Sequence, residues 1–208
     1  MFIRVVVVGI DHWEDLTKPF FDSLQQHNPG LDIVVVDNDS ELPYPNYDNS
    51  VFRTKRTGYG VALNGIATHG NWSWLLCCNN DCLCNGEVTD IIAGLSTDTI
   101  YGNDWKYDYD GMQNGLPAVV DSAYLLIPRR IWNKVGKFDP LMDAAFEEID
   151  YQIRALNTGF RLAVVDLPII HLNHHTRKEL PDYEERWMKT RDYFHSKHVN
   201  RDIMSHAA

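Results

Sequence analysis

The chain has 208 residues, 44% of them hydrophobic and 23% charged, which is typical of one globular domain. It carries 19 lysines and arginines against 29 aspartates and glutamates, and its net charge is −10. This balance disfavours binding of a nucleic-acid backbone through a broad basic surface. It suits a site that recruits a divalent cation beside a phosphorylated substrate.

No apolar stretch approaches the roughly 18 residues of a membrane-spanning helix, so no membrane span is expected. Phe2–Ile10 is too short for one and has no cleavage site after it, and it is interpreted as a first strand. The four cysteines are confined to Cys77–Cys84, which suits no long-loop disulfide framework. A reducing, cytoplasmic location is therefore expected.

Predicted strands and helices alternate along the chain. Phe2–Ile10 and Leu31–Val36 are β-branched runs typical of buried strands, and Asp15–His27 between them has apolar residues at helical spacing. Further strands are predicted at Val51–Thr54, Trp72–Cys78, Thr99–Gly102, Ala118–Ile127 and Phe160–Val165. Further helices are predicted at Gly58–Thr68, Gly86–Leu95, Arg129–Val135, Phe146–Asn157 and Pro181–His198. The fold class is therefore α/β, with a mostly parallel central sheet flanked by helices.

Polar side chains follow three of the apolar runs. Asn80 and Asp81 come after Trp72–Cys78, Asp37 follows Val36, and His171 follows Ile170. Ligands of open α/β sheets bind at the carboxyl ends of strands, so these groups could form one site. Asp and Asn also begin turns by bonding to their own backbone, so each group alone is equally consistent with a turn.

The chemistry of these groups suggests a metal and a base. A carboxylate such as Asp81 suits Mg²⁺ or Mn²⁺ shared with substrate phosphates, and His171 could be a further ligand or merely a packed histidine. Glu147 and Glu148 open a predicted helix, where a carboxylate could be a general base or simply favour the helix dipole. Trp105 lies in a glycine-flanked loop and could either stack on a sugar or be buried.

Glycine-rich phosphate loops are not found. Thr57–Gly60 matches neither the P-loop nor the dinucleotide fingerprint, and Gly9–His12 after the first strand shows no such pattern. A dinucleotide-dependent dehydrogenase is therefore disfavoured.

In chain order, several motifs resemble those of the family 2 inverting glycosyltransferases of the GT-A fold. Val34–Ser40 is similar to that family's hydrophobic run ending in Asp-Asn-Gly-Ser, and Gly58–Ile66 to its glycine- and alanine-rich helix. Leu75–Asp81 resembles the Leu-Asn-Asn-Asp version of its metal-binding DXD motif. Val135–Asp139 is similar to Gly-Gly-Phe-Asp, and Glu147–Asp150 with Arg154 to Glu-Asp-x-Asp and Arg; His171 with Thr176 resembles the closing His-x-x-Gly-x-Ser. The ordered set covers nearly the whole chain.

The resemblance implies one GT-A-like domain over residues 1–208 that transfers a sugar from a nucleotide-sugar donor to an acceptor hydroxyl with inversion. Residues 1–100 would form the nucleotide-binding half and residues 101–208 the acceptor side. Mn²⁺ or Mg²⁺ would be held by Asp81 and His171. Glu148 would be the catalytic base, with Glu147 as a competitor. The implied donor contacts are Asp37, Asp39, Asn64, Asn80 and Asp81, and the implied acceptor or sugar contacts are Trp105, Asp150 and Arg154.

Departures from the family pattern leave alternatives open. Glu148 stands where the family usually carries Asp, and Arg56 where Asn is common. A sugar-phosphate nucleotidyltransferase and a catalytically silent nucleotide-sugar-binding module are the alternative functions. The donor's base and sugar stay open, and so does the acceptor, which could be a glycan, a small molecule or a modified nucleobase.

Overall fold

The computed structural model describes residues 1–47, 50–173 and 182–199. The strands in this part of the chain are β1 (Ile3–Gly9), β2 (Asp32–Asp37), β3 (Val51–Arg53), β4 (Trp74–Asn79), β5 (Cys82–Cys84), β6 (Thr99–Gly102), β7 (Trp105–Lys106), β8 (Val119–Val120), β9 (Tyr124–Pro128), β10 (Arg161–Val164) and β11 (Ile169–His171). The α-helices are α1 (Lys18–His27), α2 (Tyr59–Ala67), α3 (Thr89–Ala93), α4 (Arg129–Val135), α5 (Glu147–Asn157) and α6 (Tyr183–His198). A π-helical turn (Trp13–Thr17) precedes α1.

The central sheet has seven strands in the order β10-β6-β9-β4-β1-β2-β3. The pairings are parallel except those of β9, which runs antiparallel to both β4 and β6. Two small antiparallel sheets, β5–β11 and β7–β8, lie beside it. The predicted α/β class with a mostly parallel sheet and flanking helices is confirmed.

Both faces of the sheet are buried, which explains the continuous β-branched runs in β1 and β2. On one face, Phe20, Phe21 and Leu24 of α1 are fully buried in one hydrophobic cluster. On the other, Leu63 of α2 and Tyr151 of α5 belong to a second cluster. Helices therefore cover both faces of the sheet, and the carboxyl ends of its strands remain the place where a ligand could bind.

The sheet register brings the predicted polar segments to one edge. Gly9 at the end of β1 lies opposite Asp37 of β2, and Val8 lies opposite Asn79 of β4. Gly9 is required here, because a Cβ at this position would lie 2.6 Å from Tyr44 Oη and 2.9 Å from Thr17 Oγ1. The end of β1 is thus packed closely against the side chains of Tyr44 and Thr17.

Some predicted elements differ from the observed ones. The single strand predicted at Ala118–Ile127 is divided into β8 and β9. Val120 N–H donates to Gln152 Oε1 at 2.7 Å and Gln152 Nε2 donates to Val120 O at 2.9 Å, so a side chain of α5 bonds the end of β8, which itself pairs with β7. The helix predicted at Gly86–Leu95 is reduced to the five residues of α3. Trp105, predicted in a loop, lies in β7.

The last described helix, α6, is held against the domain by ion pairs to the buried carboxylate of Asp150. Lys197 Nζ and His198 Nε2 lie 2.6 and 2.8 Å from Asp150 Oδ1, and Arg154 Nε lies 2.8 Å from Asp150 Oδ2. On this helix Met188 is 59% exposed, whereas Phe194 is fully buried. Of the described helices, none combines the length and hydropathy needed to cross a bilayer.

Candidate active site

A cavity of about 360 Å³ opens at the carboxyl edge of β1 and β4, a size typical of small-ligand sites. The beginning of α5 and the first turn of α6 also contribute to its wall. Five of the residues predicted from the sequence line it: Asn80, Asp81, Glu147, Glu148 and His171. Asp81 and Glu148, from segments far apart in the chain, therefore share one cavity.

Asp81 and His171 form a close pair at one part of this cavity. Asp81 lies between β4 and β5, His171 ends β11, and the pairing of β11 with β5 aligns His171 with Cys82. Leu172 N–H also donates to Asp81 O at 2.8 Å. These backbone contacts place His171 Nε2 3.2 Å from the Asp81 carboxylate, whose residue is only 3% exposed.

Asn80 is fixed from behind by a short chain of hydrogen bonds. Its Nδ2 donates to Thr17 Oγ1 at 3.0 Å, and Thr17 Oγ1 lies 3.0 Å from Tyr44 Oη. Burial raises the pKa of Tyr44 to about 12, so this hydroxyl stays protonated and able to donate. The segment that carries Asp81 is thereby tied to the turn before α1.

The two glutamates are the first residues of α5, entered from Phe146 in the left-handed conformation with φ of 65°. Glu147 is only 5% exposed and packs beside α2, where a Cβ at Gly60 would lie 3.2 Å from Glu147 Cβ. Glu148 is more exposed. It therefore presents the more accessible carboxylate in the cavity.

Three cationic side chains of the cavity were not identified from the sequence: Arg56, Lys106 and Arg186. Arg56 pairs with Asp182, Lys106 Nζ lies 3.6 Å from Asp121, and Arg186 contacts Asp143 at 2.9 Å. Lys106 and Arg186 have no basic residue next to them in the sequence, and Arg56 follows Lys55, so no local pattern distinguishes these three from ordinary surface cations.

Two loops, one with Asn38 after β2 and one with Thr57 before α2, form the cavity wall between the cationic side chains and the sheet. Asn38 Nδ2 donates to Thr57 O at 2.8 Å, and Thr57 N–H donates to Asn38 Oδ1 at 3.0 Å. The next residue, Gly58, approaches the loop before α5 so closely that a Cβ would lie 2.8 Å from Asp143 Cα. The Asn38–Thr57 hydrogen bonds and the close approach of Gly58 to Asp143 thus fix the position of the loop that carries Arg56.

Asp37 and Asp39, predicted donor contacts, do not line the cavity. Asp37 is 1% exposed, and its carboxylate accepts hydrogen bonds from Ser40 N–H at 2.9 Å and Tyr44 N–H at 3.0 Å. Asp39 adopts a positive φ of 72° and contacts Arg53 at 3.3 Å. Both aspartates organise the turn after β2, the alternative that their residue types left open.

The remaining predicted contacts also lie outside the cavity lining. Asn64 bonds the backbone of Phe138 through both ends of its amide, each at 2.9 Å. Asp150 is fully buried among the ion pairs that hold α6, and Arg154 also donates to the carbonyl of Val135. Trp105 is 37% exposed beside Tyr107.

The described residues contain no group of three or more His, Cys, Asp and Glu that could hold a metal by itself. The Asp81–His171 pair nevertheless fits a hard or borderline cation that shares its ligands with a substrate. Neighbouring ligands of an octahedral ion lie about 3 Å apart, close to the 3.2 Å between these two groups. A diphosphate and water would have to supply the other ligands.

No known protein-family profile matches the sequence, and no curated protein is significantly similar to it. Solved glycosyltransferase structures do share its fold. Residues 1–349 of TarS from S. aureus superimpose with a TM-score of 0.58 at 16% identity over 81% of this chain. GalNAc-T7 with UDP, GalNAc and Mn²⁺ gives 0.62 at 15% over 82%, and the mannosyltransferase PcManGT from Pyrobaculum calidifontis with GDP-Man and Mn²⁺ gives 0.57 at 15% over 78%.

This chain covers 60% of the length of the TarS structure, 44% of GalNAc-T7 and 54% of PcManGT. Identities this low establish a shared fold only. The chain therefore has a GT-A-like fold, which is the architecture expected from the order of its motifs.

Proposed function

We propose that the protein is a divalent-cation-dependent, inverting glycosyltransferase that moves a sugar from a nucleotide sugar to an acceptor hydroxyl. One observation carries the proposal: Asp81, His171 and Glu148 line one cavity, together with the cations Arg56, Lys106 and Arg186. A cation site, countercharges for a diphosphate and a carboxylate base are the groups that such a transfer requires.

The donor diphosphate would bind among the three cationic side chains. Asp81 and His171 would hold Mn²⁺ or Mg²⁺, which when bound would neutralise charge on the leaving diphosphate. The complexes of GalNAc-T7 with UDP and of PcManGT with GDP-Man, both with Mn²⁺, make this donor chemistry the natural expectation for the fold. Residues 1–100 would supply Arg56 and Asp81 to the donor, with Asn80 near the ribose, and residues 101–208 would add Lys106, His171 and Arg186.

Glu148 would act as the general base. Its carboxylate takes the proton of the acceptor hydroxyl while the acceptor oxygen bonds to the anomeric carbon. The bond from that carbon to the diphosphate oxygen breaks in the same step, and the nucleoside diphosphate leaves. A single displacement inverts the anomeric configuration. Glu147, which is only 5% exposed, would support the start of α5 beneath Glu148.

The test begins with a thermal-shift screen of UDP-, GDP- and dTDP-sugars with Mn²⁺, because a ligand that binds the native state raises its melting temperature. A donor found this way is then incubated with glycan, small-molecule and nucleoside acceptors. We expect release of the nucleoside diphosphate and a product whose anomeric configuration, read by NMR, is opposite to that of the donor.

Other outcomes distinguish the alternatives. Pyrophosphate release from a nucleoside triphosphate and a sugar phosphate would support a nucleotidyltransferase instead. Donor binding without transfer to any acceptor would support a silent binding module. A product that retains the donor configuration would contradict the single displacement.

A further inference from the structure

A second cavity lies at the edge of the central sheet opposite the candidate active site. Its volume is about 630 Å³, and its lining includes Arg130 and Lys134 of α4, Asp98 before β6 and Arg161 at the start of β10. Because β9 runs antiparallel to both β4 and β6, these two strands run in the same direction. The second cavity is therefore at the amino ends of the strands, whereas the candidate active site is at their carboxyl ends.

The lining of this cavity is positively charged. Three cations and one carboxylate give it a net charge of +2, although the whole chain carries −10. Arg130 pairs with Asp98. Lys134 and Arg161 are exposed, and neither makes an ion pair or a side-chain hydrogen bond with any residue that the structure describes. Most other described lysines and arginines contact a carboxylate, so two uncompensated cations in one cavity are unusual for this protein.

The nearby end of α5 does not account for these cations. Basic side chains often bond the last carbonyls of a helix, but here the turn after α5 already does so. Thr158 N–H donates to Ala155 O at 3.1 Å, and Thr158 Oγ1 donates to the same carbonyl at 2.8 Å. Gly159 N–H donates to Leu156 O at 2.9 Å. The guanidinium of Arg161 is therefore not needed as a helix cap and keeps its donors for a ligand.

The ligand that matches this cavity is a small dianion. A phosphate monoester carries a charge of about −1.5 to −2 at pH 7, close in size to the positive charge of the lining. The planar guanidinium of Arg161 can donate two parallel hydrogen bonds to phosphate oxygens, and the ammonium of Lys134 adds a point charge. We propose that this cavity is a second, metal-independent anion site that binds the phosphate group of a monoester or free phosphate.

The experiment titrates ¹⁵N-labelled protein with inorganic phosphate and, separately, with glycerol 2-phosphate, in EDTA and at constant ionic strength. The backbone amides of Thr158, Gly159 and Arg161 report on the cavity, and sodium nitrate replaces phosphate as the salt control. The test variant is Lys134→Gln combined with Arg161→Gln, two exposed substitutions that should retain the fold. Lys137→Gln is the matched control, because Lys137 is also exposed and unpaired among the described residues but does not line the cavity.

We expect saturable shifts of these amides with a dissociation constant of about 1 mM or below. Affinity should fall at least about 10-fold in the double variant, since two charged donors are lost, and stay unchanged in Lys137→Gln. Tighter binding of glycerol 2-phosphate would identify a monoester as the ligand, and tighter binding of inorganic phosphate would identify the free ion. Shifts equal to those in nitrate, shifts confined to the candidate active site, or equal affinity in the double variant would overturn the inference. None of these results depends on a nucleotide-sugar donor, so the proposed function is tested separately.

Discussion

His171 Nε2 lies 3.2 Å from Asp81 Oδ2 at the carboxyl edge of the sheet. The pairing of β11 with β5 creates this contact between two distant parts of the chain. The pair is the strongest candidate for a cation site, because Mg²⁺ and Mn²⁺ commonly take one or two protein ligands and share substrate phosphates.

The first prediction concerns His171→Ala. We expect the Mn²⁺ concentration that gives half-maximal donor turnover to rise about 10- to 100-fold, the range seen when a group that supports a metal is lost. The measurement is a Mn²⁺ titration at saturating donor. His69→Ala is the control, since His69 is exposed on the loop after α2. An unchanged Mn²⁺ midpoint would remove His171 from the cation site.

The second prediction separates the two glutamates. Glu148→Gln should lower kcat about 10²- to 10⁴-fold, because a general base contributes that much, while donor affinity stays near that of the wild type. Glu147→Gln should retain more activity. Steady-state kinetics and donor titrations measure both effects, with the exposed Glu87→Gln as a control. The base role would pass to Glu147 if its variant showed the larger fall in kcat.

The third prediction concerns Asn64, whose amide joins α2 to the backbone of Phe138. Asn64→Ala should lower the free energy of unfolding by about 1–3 kcal/mol, because it leaves two backbone groups without partners. Urea denaturation gives this value, with Asn133→Ala on an exposed position of α4 as the control. Nucleoside diphosphate affinity should stay unchanged at temperatures where the variant is folded. Stability equal to wild type combined with weaker nucleotide binding would instead favour a donor contact.

The fourth prediction concerns acid stability. Burial would raise the pKa of Asp150, but the hydrogen bond from His198, the charge of Arg154 and the hydrogen bond from Lys197 outweigh it and hold the pKa at about 2, against 3.8 for the unperturbed group. Because the folded pKa is the lower one, the contribution to stability is complete above roughly pH 4 and is lost as the pH falls towards 2.

Asp150→Asn should therefore lower the free energy of unfolding by about 3–5 kcal/mol at pH 7, since it removes the buried carboxylate that Arg154, Lys197 and His198 contact. Its stability should also fall less than that of the wild type between pH 5 and pH 3. Urea denaturation across that range measures both effects, and the exposed Asp192→Asn on α6 is the control. Parallel stability curves for Asp150→Asn and wild type would show that these ion pairs do not stabilise the fold.

The sequence predicted the sheet well because its core strands are buried on both faces. Val5–Val8 and Ile33–Val36 are continuous apolar runs, and no helix pattern competes with them. The break between β8 and β9 was not predicted, because β8 pairs with β7 and bonds Gln152 while β9 pairs with β4, and these partners meet only in the folded chain. Local patterns indicate elements, whereas a side chain arriving from a distant helix leaves no local signal.

Prediction of the site was limited in a similar way. Residue type and position at a strand end led to Asp81 and His171, which the structure places in the cavity. The same reasoning led to Asp37, whose carboxylate turns inward to bond Ser40 and Tyr44 backbone groups. Sequence shows which residue follows a strand but not the direction of its side chain. Arg186 was missed because its place at the cavity depends on how α6 packs.

The most direct test of the account is calorimetric titration of the protein with UDP and GDP, with Mn²⁺ and with EDTA, in wild type and Asp81→Asn. If Asp81 and the neighbouring cations assemble a cation–diphosphate site, the wild type binds at least one of the two nucleotides with Mn²⁺. That affinity then falls at least about 10-fold in EDTA and in Asp81→Asn. Equal affinity under all these conditions, or no binding of either nucleotide by the wild type, would contradict it.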